Sequence, residues 1–595
     1  MPRTRWHPPS SVLYYKRPVG PTGRSLPTEN DMLVKDRLAH LLRATAHEAQ
    51  ARGLLPPVDL PEIVIERPQN PEHGDYAANL PLRLARAAQM SPMVIAQRLV
   101  SLLPAAEEVA QVEVAPPGFI NFRLDRRWLA RQVDEIVAQN ERFGELDIGQ
   151  GRSVQVEYVS ANPTGPLHVG NGRGAVLGNV LSRALAAAGY RVQQEYYVND
   201  AGTQTETFYA SLDARYRQAL GQEVALPPDG YQGDYVVELA REIVAEHGDR
   251  FLQGDPNEAR QTLGALGIQR MLSSIRTDLD ALGVRYDDWF SERSLYDVSP
   301  ETETSPFARA MGLLREKRFV VEKEGATWFT STTLGEDKDN VLIRSSGAPT
   351  YFALDIAYHL EKFTTRGFDQ VIDIWGADHQ GHVPRMRAAA AALGIAPERL
   401  HVIIYQLVNL KRGGVLVRAS KRTGELVTLR DLLDEVGVEA CRYFFLTRSA
   451  DSAIDFDLEL AKQQSAENPL YYIQYAHARI ASILRNAQEL GLSLEGGDTS
   501  LLTEEAELVL LRKMLELPEL IESIAHNLEP HHLPHYALEL ATAFHDFYER
   551  HRVLPRPDVP VDPALTAARL KLTLASRYAL AKVLDLMGLS APERM

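Results

Sequence analysis

The sequence predicts a multidomain α/β protein. Its centre is a doubly wound parallel sheet with a helical insertion, preceded by a small α+β domain and followed by an all-α bundle. The chain has 595 residues, enough for about three to five domains. A strand, a glycine-containing loop, a helix and a second strand follow one another over residues 153–198, the unit that opens a parallel sheet. Residues 468–595 show helical spacing of apolar side chains almost throughout.

The composition excludes several classes of protein. Hydrophobic residues make up 45% of the chain and charged residues 24%, as in soluble globular proteins. No run approaches the roughly 18 apolar residues of a membrane helix, and the first residues lack the apolar core of a signal peptide. A single cysteine, Cys441, permits neither an internal disulfide nor a multi-cysteine zinc site. We therefore expect a cytoplasmic protein without a membrane span.

The net charge of −15 argues against a general polyanion binder. Nucleic-acid contacts, if present, are expected in local basic patches, because recognition depends on the field near the phosphates. Residues 1–31 carry five basic and two acidic side chains and lack periodicity. They are interpreted as a disordered tail, or as the product of a start codon assigned too early, with Met32 as the true start.

The first predicted domain spans residues 32–145 and mixes helices with strands. Helical spacing runs from Asp31 to Arg52, and a second helical segment opens at Gly74–Asn79. Strands are predicted at residues 62–66, 112–114 and 119–122.

The second predicted domain spans residues 146–450 and contains the parallel sheet. Its first strand is Ser153–Tyr158, its first helix follows Asn171, and its second strand runs through Gln193–Tyr197. Residues 205–300 are mostly helical by pattern and are interpreted as an insertion into the sheet. Strand-like runs return at residues 328–330, 341–343, 371–374 and 401–404. Residues 451–595 form the third domain, an all-α bundle.

The loop before the first long helix of the second domain suits an anion. Backbone N–H groups and the positive end of the helix dipole meet there, Gly170 lets a nucleotide approach the backbone, and His168 can donate to a phosphate. The string His-Val-Gly-Asn is weak evidence alone, since an ordinary turn glycine beside a histidine looks the same.

Longer segments carry a resemblance to a known family. Ser160–Asn171, SANPTGPLHVGN, resembles the extended HIGH motif of class I aminoacyl-tRNA synthetases in its arginyl form, and Val417–Gly424, VRASKRTG, resembles the KMSKS loop. Further segments similar to the arginyl family are residues 74–79, 196–202, 375–382, 455–457, 468–479 and 590–595. The resemblance covers essentially all of residues 32–595.

The resemblance implies a class I Rossmann-like catalytic domain, an N-terminal tRNA-binding domain and a C-terminal anticodon-binding bundle. It implies an arginine–tRNA ligase that converts arginine and ATP to arginyl-adenylate and pyrophosphate, then transfers arginine to the 3′-terminal adenosine of tRNA(Arg). Mg²⁺ is expected to enter with ATP as part of the substrate, with no structural zinc or other resident metal. We expect a monomer.

The family's motifs assign the chemistry to particular residues. The catalytic residues are His168, Asn171, Arg418 and Lys421. The ATP-binding residues are His168, Gly170, Asn171, Asp378, His379, Ser420, Lys421 and Arg422. Lys421 is expected to stabilise the charge that builds on the phosphates in the transition state. The chain departs from the family pattern twice, with Asn171 in place of a histidine and Arg418 in place of a lysine. Thr428 and Asp431 are expected to begin the next helix as a capping-box pair.

The arginine-binding residues implied by the resemblance are Glu157, Ser160, Asn162, His168, Tyr351, Asp355 and His379. Carboxylates suit a guanidinium, because both geometry and charge match. An ordinary surface carboxylate is the alternative interpretation of Asp355. Asp378, His379 and His382 also have the chemistry of metal ligands, but the glycine beside them and the predicted strand end favour a nucleotide-side loop.

The expected tRNA-binding residues are Tyr76, Asn79, Tyr475, Arg479 and Met595. Tyr472, Tyr475 and Arg479 share one helical face, and aromatic rings beside arginine can stack on unpaired bases. A core position is the alternative for these tyrosines, Tyr472 above all.

Two other functions remain open on sequence grounds. One is a different class I synthetase, such as a cysteinyl or glutamyl enzyme, although the first needs zinc ligands and the second a basic pocket. The other is a non-catalytic RNA-binding paralogue, suggested by the altered motifs but opposed by the retained His168 and Lys421.

Overall fold

The structure is a computed structural model that describes residues 33–299, 303–417, 427–493, 496–555 and 562–595. The chain divides into two compact units, the first ending at Asp125 and the second beginning at Arg126. No helix in these described ranges has both the length and the hydropathy needed to cross a lipid bilayer.

The first unit is an α+β domain, as predicted. Its helices are α1 (Val34–Ala51), α2 (Leu80–Ala88) and α3 (Pro92–Leu102). Its strands are β1 (Ile65–Glu66), β2 (Tyr76–Ala78), β3 (Val109–Ala115) and β4 (Phe119–Leu124), paired antiparallel in the order β1-β2-β4-β3.

The prediction of a helix opening at Gly74–Asn79 is wrong, because this segment pairs with β4. Tyr76–Ala78 forms the strand β2, and helix α2 begins only at Leu80. The Asp75 backbone N–H donates to the Phe122 carbonyl, and the Asp75 carboxylate accepts from the Leu124 N–H at 2.7 Å. These bonds fix the backbone in extended form before the helix.

A five-stranded parallel sheet forms the centre of the second unit. Its strands are β5 (Ser153–Tyr158), β6 (Arg191–Val198), β7 (Asp288–Ser291), β11 (Gln370–Gly376) and β12 (Leu400–Tyr405), in the order β12-β11-β5-β6-β7. The helix α5 (Val169–Ala187) connects β5 to β6. The chain adds strands on one side of β5 and then on the other, so a crevice is expected between the carboxyl ends of β5 and β11.

Helix α5 packs against β5 at very short range. A side chain at Gly178 would place its Cβ 2.2 Å from the Tyr158 ring, which explains a glycine in the middle of this helix. All six residues of β5 are buried, as expected for the central strand of a parallel sheet covered on both faces.

The predicted insertion is largely helical, with one correction. Its helices α6 (Thr203–Ala219), α7 (Asp234–His247) and α8 (Pro256–Ala281) pack around a separate apolar cluster that includes Phe208 and Leu212. The segment Asp288–Ser291, read from sequence as part of this helical region, is instead β7, the edge strand of the central sheet. Four residues are too few to show the alternation that identifies a strand.

A second antiparallel sheet follows the insertion. It contains β8 (Val320–Lys323), β9 (Ala326–Phe329) and β10 (Asn340–Ile343) after the helix α9 (Pro306–Glu316). The strand-like runs at residues 328–330 and 341–343 therefore belong to this sheet and not to the central one. The helices α10 (Tyr351–Leu360) and α11 (Val383–Leu393) flank β11 in sequence.

The rest of the second unit combines a small sheet with the predicted bundle. The sheet pairs β14 (Val415–Leu416), β13 (Val408–Arg412) and β15 (Ile454–Asp457), beside the helices α12 (Leu429–Val436), α13 (Val438–Phe445) and α14 (Leu458–Lys462). The bundle contains α15 (Pro469–Glu489), α16 (Glu505–Met514), α17 (Glu516–Asn527), α18 (His532–Arg550) and α19 (Pro563–Met587).

The first unit ends at Asp125, twenty residues before the predicted boundary at residue 145. The helix α4 (Arg126–Gln139) belongs to the second unit, because it packs on the bundle. Its Asp134 accepts from Lys571 Nζ at 2.7 Å and from Thr499 Oγ1 at 2.9 Å.

One buried arginine joins three parts of the second unit. Arg442, 1% exposed, donates to the Met587 carbonyl at 2.9 Å, the Leu282 carbonyl at 3.0 Å and Asn179 Oδ1 at 2.7 Å. Its guanidinium also lies where any side chain at Gly588 would be, just after α19. Burial lowers the pKa of Arg442 to about 10, so the side chain remains cationic at neutral pH.

Candidate functional site

The loop after β5 is held in a strained conformation. Val159 and Ser160 have φ values of 69° and 41°, in the left-handed region that a β-branched residue rarely adopts. Ser160 Oγ donates to Glu157 Oε1 at 2.9 Å and accepts from the Tyr197 N–H at 3.1 Å. Because such strain persists only where the surroundings enforce it, these bonds indicate a functional loop.

A buried group of charges lies under this loop; we call it the Lys362 cluster (Glu157, His359, Lys362 and Asp373). Lys362 Nζ donates to Glu157 Oε2 at 2.7 Å and to Asp373 Oδ1 at 2.9 Å. His359 Nε2 lies 2.8 Å from Asp373 Oδ2. Burial raises the pKa of Glu157, and Lys362 opposes that rise. Burial also acts to raise the pKa of Asp373, but Lys362 and His359 hold it below its usual value.

A second group of residues (Tyr197, Glu292, Tyr351 and Asp355), which we call the acidic pocket, lies close enough together for their charged groups to influence one another. Tyr351 and Asp355 lie one turn apart on α10, and Tyr351 is exposed. Asp355 Oδ2 lies 2.8 Å from His382 Nε2. Because Arg385 Nε donates to His382 Nδ1, the proton of the ring is on Nε2, and His382 donates it to Asp355.

Glu292 is the residue of the pocket that the sequence analysis missed. It is 1% exposed, and its Oε2 accepts from the Tyr197 hydroxyl at 3.0 Å. Its Oε1 is buried and has no hydrogen-bond partner among the described residues. Burial raises the pKa of Glu292 to about 7, and the nearby Asp355 and Asp200 add to the rise. An unpartnered buried acceptor beside a second carboxylate suits a cationic ligand with several N–H donors.

The signal for Glu292 was present in the sequence but weak. The apolar pair Trp289-Phe290 precedes Ser291 and Glu292, so a carboxylate follows a short strand at its carboxyl end. The helical interpretation of residues 205–300 concealed it.

Asn162 and His379, two of the three remaining residues predicted to bind arginine, contact neighbours of the acidic pocket. Asn162 Nδ2 donates to Gln204 Oε1 at the start of α6. The ring of His379 lies 6.2 Å from that of Trp375, and the ring of His382 lies 5.3 Å from the same indole. A single tryptophan therefore contacts both the predicted His379 and the residue that holds Asp355.

The start of α5 carries the predicted nucleotide residues. The His168 N–H donates to Asn171 Oδ1 at 3.1 Å, so the amide that replaces a histidine here caps the helix. The Asn171 amide nitrogen remains a donor. A Cβ atom at Gly170 would lie about 3.1 Å from the His168 ring. The glycine therefore leaves the space beside that ring open. Burial lowers the pKa of His168, which favours the neutral ring, while Asp378 opposes that effect.

Asp378 faces the start of α5 from the turn that follows β11. Its side chain is 81% exposed and lies 3.5 Å from His379 Nε2. Burial raises the pKa of Tyr405 to about 12, and the Asp378 charge contributes to this, so both His168 and Tyr405 lie within the field of Asp378. Two of the predicted nucleotide-binding residues, His168 at the start of α5 and Asp378 in the turn after β11, therefore lie near each other at the carboxyl edge of the sheet.

The start of α12, the helix that follows the KMSKS-like segment in sequence, contacts the loop before α5. Arg418, Ser420, Lys421 and Arg422 lie outside the described residues. The predicted capping box is confirmed, since the Asp431 N–H donates to Thr428 Oγ1 at 3.0 Å and the Thr428 N–H donates to Asp431 Oδ2 at 3.2 Å. The Leu429 N–H donates to the Leu167 carbonyl at 2.8 Å, and Thr428 forms a β-bridge with His168. The start of α12 is therefore joined to the HIGH-like loop.

The bundle presents an exposed aromatic face around Arg479. Its guanidinium lies 4.6 Å from the Tyr475 ring centre and 5.2 Å from that of Tyr548, and it donates to the Tyr475 hydroxyl at 2.8 Å. Tyr475 is 39% exposed and Tyr548 38%. Tyr548 was not predicted. Tyr472 packs on the His545 ring at 4.7 Å.

The other predicted tRNA-binding residues differ in exposure. Met595 is 52% exposed. Tyr76, in the first unit, is 1% exposed, and its hydroxyl accepts from Arg67 at 2.6 Å. The structure therefore places the Tyr76 ring in the core, where it cannot stack on a base. Asn79 Oδ1 is buried and has no partner among the described residues.

The described residues contain no group of three or more His, Cys, Asp or Glu side chains placed to hold a metal ion. His382, one of the three residues with metal-ligand chemistry, has both ring nitrogens engaged by Asp355 and Arg385.

Comparison with protein families matches three consecutive segments. Residues 36–124 match the arginyl tRNA synthetase N terminal domain, residues 132–451 match the tRNA synthetases class I (R) catalytic domain, and residues 473–595 match the DALR anticodon binding domain.

Individual proteins are similar over nearly the whole chain. An arginine–tRNA ligase of Dehalococcoides mccartyi is 52% identical over 95% of this chain and 99% of its own length. That of Carboxydothermus hydrogenoformans is 49% identical over 94% and 99%. Among solved structures, the Thermus thermophilus arginyl-tRNA synthetase has the same fold, with a TM-score of 0.72, 24% identity, and coverage of 95% of this chain and 100% of that one.

Proposed function

The chain belongs to the arginyl-tRNA synthetase family, and on that premise we propose how its own residues carry out the ligation of arginine to tRNA(Arg). The observation that carries the choice of amino acid is the acidic pocket. Asp355 and the unpartnered Oε1 of Glu292 offer the guanidinium two carboxylates, and the Tyr351 hydroxyl group borders them.

The α-amino and carboxylate groups of arginine would lie toward the strained loop. Ser160 and Asn162 extend from the end of β5, and the start of α5 with His168 follows them. Glu157 has both oxygens occupied, by Ser160 and Lys362, so its role is to hold the loop. His379 borders the same space from the turn after β11.

ATP would bind at the start of α5. The free N–H groups of the helix, the neutral His168 and the Asn171 amide face the phosphates, and Gly170 permits close approach. Asp378 and His379 adjoin from the β11 turn. Mg²⁺ enters with ATP and neutralises part of the phosphate charge. The arginine carboxylate then attacks the α-phosphate, and pyrophosphate leaves.

Arg418, Ser420, Lys421 and Arg422, which lie outside the described residues, are assigned to the phosphates of ATP. The support is their resemblance to the KMSKS loop, together with the contact between the HIGH-like loop and the start of α12, the helix that follows them in sequence. Lys421 would stabilise charge as it develops in the transition state.

Transfer to the tRNA 3′ end completes the reaction. We assign unpaired anticodon bases to the face formed by Tyr475, Arg479 and Tyr548, with Met595 at its chain terminus. Asn79 and the backbone around Tyr76 are assigned to the body of the tRNA. We further propose a monomer in the cytoplasm. The cysteinyl and glutamyl alternatives and a non-catalytic paralogue are not favoured, because the arginyl form of the catalytic family matches residues 132–451.

Pyrophosphate exchange into ATP, measured with each amino acid and with or without tRNA, tests the proposal. Exchange that depends on arginine alone among the amino acids is the expected result. Exchange supported by another amino acid, or none with arginine and tRNA present, would refute it.

In the same assay Lys421→Ala should lower kcat by about 10²–10³-fold, as for loss of one preorganised charge, with little change in either KM. An equal rise in KM for ATP would assign Lys421 to ground-state binding instead.

A further inference from the structure

The Lys362 cluster is the most completely buried group of charges beside the proposed arginine site, and only Glu157 in it has a role so far. We propose that Lys362 is a positioning residue for arginine: it holds the Glu157 carboxylate, and through Glu157 it holds the Ser160 loop in the geometry that receives the substrate. The proposal rests on the function given above and names a residue that contacts no substrate.

The Lys362 ammonium group contacts three side chains. It donates to Glu157 Oε2 at 2.7 Å and to Asp373 Oδ1 at 2.9 Å, and its nitrogen lies 4.1 Å from the centre of the Tyr358 ring, a cation-π contact. The side chain has no exposed surface. A buried cation with this set of partners fixes its neighbours, because moving any one of them leaves a charge unpaired.

Glu157 passes this constraint to the loop. Ser160 has one hydroxyl proton, and it donates that proton to Glu157 Oε1. Its oxygen is then free to accept from the Tyr197 N–H. The pattern requires Glu157 to be an acceptor, which is assured only while it is ionised. Val159 and Ser160, both at positive φ, follow directly.

The backbone around Lys362 is itself unusual. Residues Glu361–Thr365 form a π-helical turn after α10, and such turns are frequent at functional sites. Tyr351, Asp355 and Lys362 are spaced by four and seven residues, the spacing of one helix face. Helix α10 thus supplies Tyr351 and Asp355 of the acidic pocket, and the π turn that continues it supplies Lys362, which supports the Ser160 loop.

Loss of Lys362 would leave two buried carboxylates, Glu157 and Asp373, with only His359 as a potential cation in contact. The ionisable groups that face Glu157 are Lys362, His359 and Tyr358 from α10 and its π turn, Asp373 from β11, Tyr197 from β6, and Tyr286 before β7. Burial already raises the pKa of Glu157, and Lys362 is the largest opposing influence. Without Lys362, the pKa of Glu157 would rise further, which favours the protonated carboxyl group, a donor toward Ser160.

The test is arginine-dependent pyrophosphate exchange by Lys362→Met, Glu157→Gln and the double variant, across pH 6.5 to 9. Lys362→Met should raise the KM for arginine at least about tenfold at pH 6.5 with little change in the KM for ATP. The increase should be larger at the acidic end of this range than at pH 9, because a raised pKa of Glu157 favours its protonated form at low pH. Glu157→Gln should show a similar increase at every pH, because an amide cannot regain the charge. The double variant should be no worse than Glu157→Gln, since Lys362 acts through Glu157.

Arg366→Met is the matched control. Arg366 is a cation that directly follows the π turn, with 18% of its side chain exposed, and it pairs with Glu195 and Asp288 and not with the loop. The substitution Arg366→Met should lower the melting temperature without changing the ratio of the KM for arginine to the KM for ATP. Should Lys362→Met fail to fold, Lys362→Gln keeps N–H donors without the charge and should give the same selective, pH-dependent effect.

Equal changes in both KM values, an additive double variant, or a Lys362→Met defect that does not depend on pH would overturn the proposal. Absence of arginine-dependent exchange in the unaltered protein with tRNA present would instead refute the proposed function, so the two failures are distinguishable.

Discussion

Asp355 and Glu292 are held in different ways, although both face the same pocket. Asp355 accepts a hydrogen bond from His382 Nε2. Glu292 accepts one from the Tyr197 hydroxyl group, and its other oxygen has no hydrogen-bond partner among the described residues. The pKa of Glu292, raised by burial to about 7, makes it the carboxylate whose charge changes near neutral pH. Their substitution should therefore give different results.

Asp355→Asn should raise the KM for arginine at least about tenfold, because losing a charge-assisted pair typically costs about 2–5 kcal/mol. The amide would also turn a donor toward the guanidinium or toward His382. The KM for ATP should change little. Exchange kinetics with each substrate varied decide the matter, and an unchanged KM for arginine would exclude Asp355 from the pocket.

Glu292→Gln should change how the protein responds to pH. In the unaltered protein the KM for arginine should rise as the pH falls below about 7, because protonation removes one negative acceptor. The variant should show a raised KM that does not vary over this range. A flat profile for the unaltered protein would argue against a role of Glu292 in binding.

The same shift has a consequence for stability. The pKa of Glu292 in the fold, about 7, lies above its usual value, so its protonated form favours folding and this contribution is lost as the pH rises toward and through 7. Without arginine, Glu292→Gln should therefore melt at a higher temperature than the unaltered protein at pH 8, and the difference should narrow at pH 5.

These residues also show how far sequence reasoning reaches. Asp355 could be found because its helix carries a recognisable motif with Tyr351. Glu292 could not, because its strand is four residues long and lies after a helical insertion. Tyr76 shows a related limit: its segment is predicted to open a helix, while strand pairing with β4 places it in β2 with its ring in the core.

At the scale of elements, the junction between α12 and the HIGH-like loop is the feature with the clearest functional consequence. The capping box of Thr428 and Asp431 fixes where α12 begins, and Leu429 joins that start to Leu167. Helix starts with a side-chain cap are readable from sequence, and this one was. The backbone bond to Leu167 was not, because it joins residues far apart in the chain.

Thr428→Ala should lower stability by about 1 kcal/mol through loss of the cap. It should also lower kcat more than it raises either KM, because the segment bearing Lys421 leads directly into this helix. Thr428→Ser keeps the hydroxyl and serves as the control. Thermal melting together with exchange kinetics tests both parts, and a loss of stability without a loss of kcat would separate the cap from catalysis.

At the scale of the whole molecule, the parallel sheet and the helical bundle followed from sequence patterns, while the strand order of the sheet and the placement of α4 did not. The periodicity of α4 identifies a helix but not its partner. That partner is α19, more than four hundred residues later, and the Asp134–Lys571 ion pair is a contact that no local pattern reveals.

Arg442→Met should destabilise the second unit by about 3–5 kcal/mol, because it leaves three buried acceptors without their donor. Arg183→Ala is the matched control. Arg183 also joins α5 to α19, through Asp585, but both side chains are substantially exposed. An exposed pair contributes about 0–1 kcal/mol, so its loss should be nearly silent in urea unfolding. Equal effects of the two substitutions would contradict the importance of burial.

The contact between Arg442 and the end of α19 also constrains the order of events during synthesis. A ribosome adds about 5–20 residues per second, so the strands around β5 emerge long before the Met587 carbonyl exists. The second unit can therefore close around its buried guanidinium only after residue 587 has been synthesised and has left the ribosome. A nascent chain that still lacks α19 would expose this charge, without one of its acceptors, to chaperones.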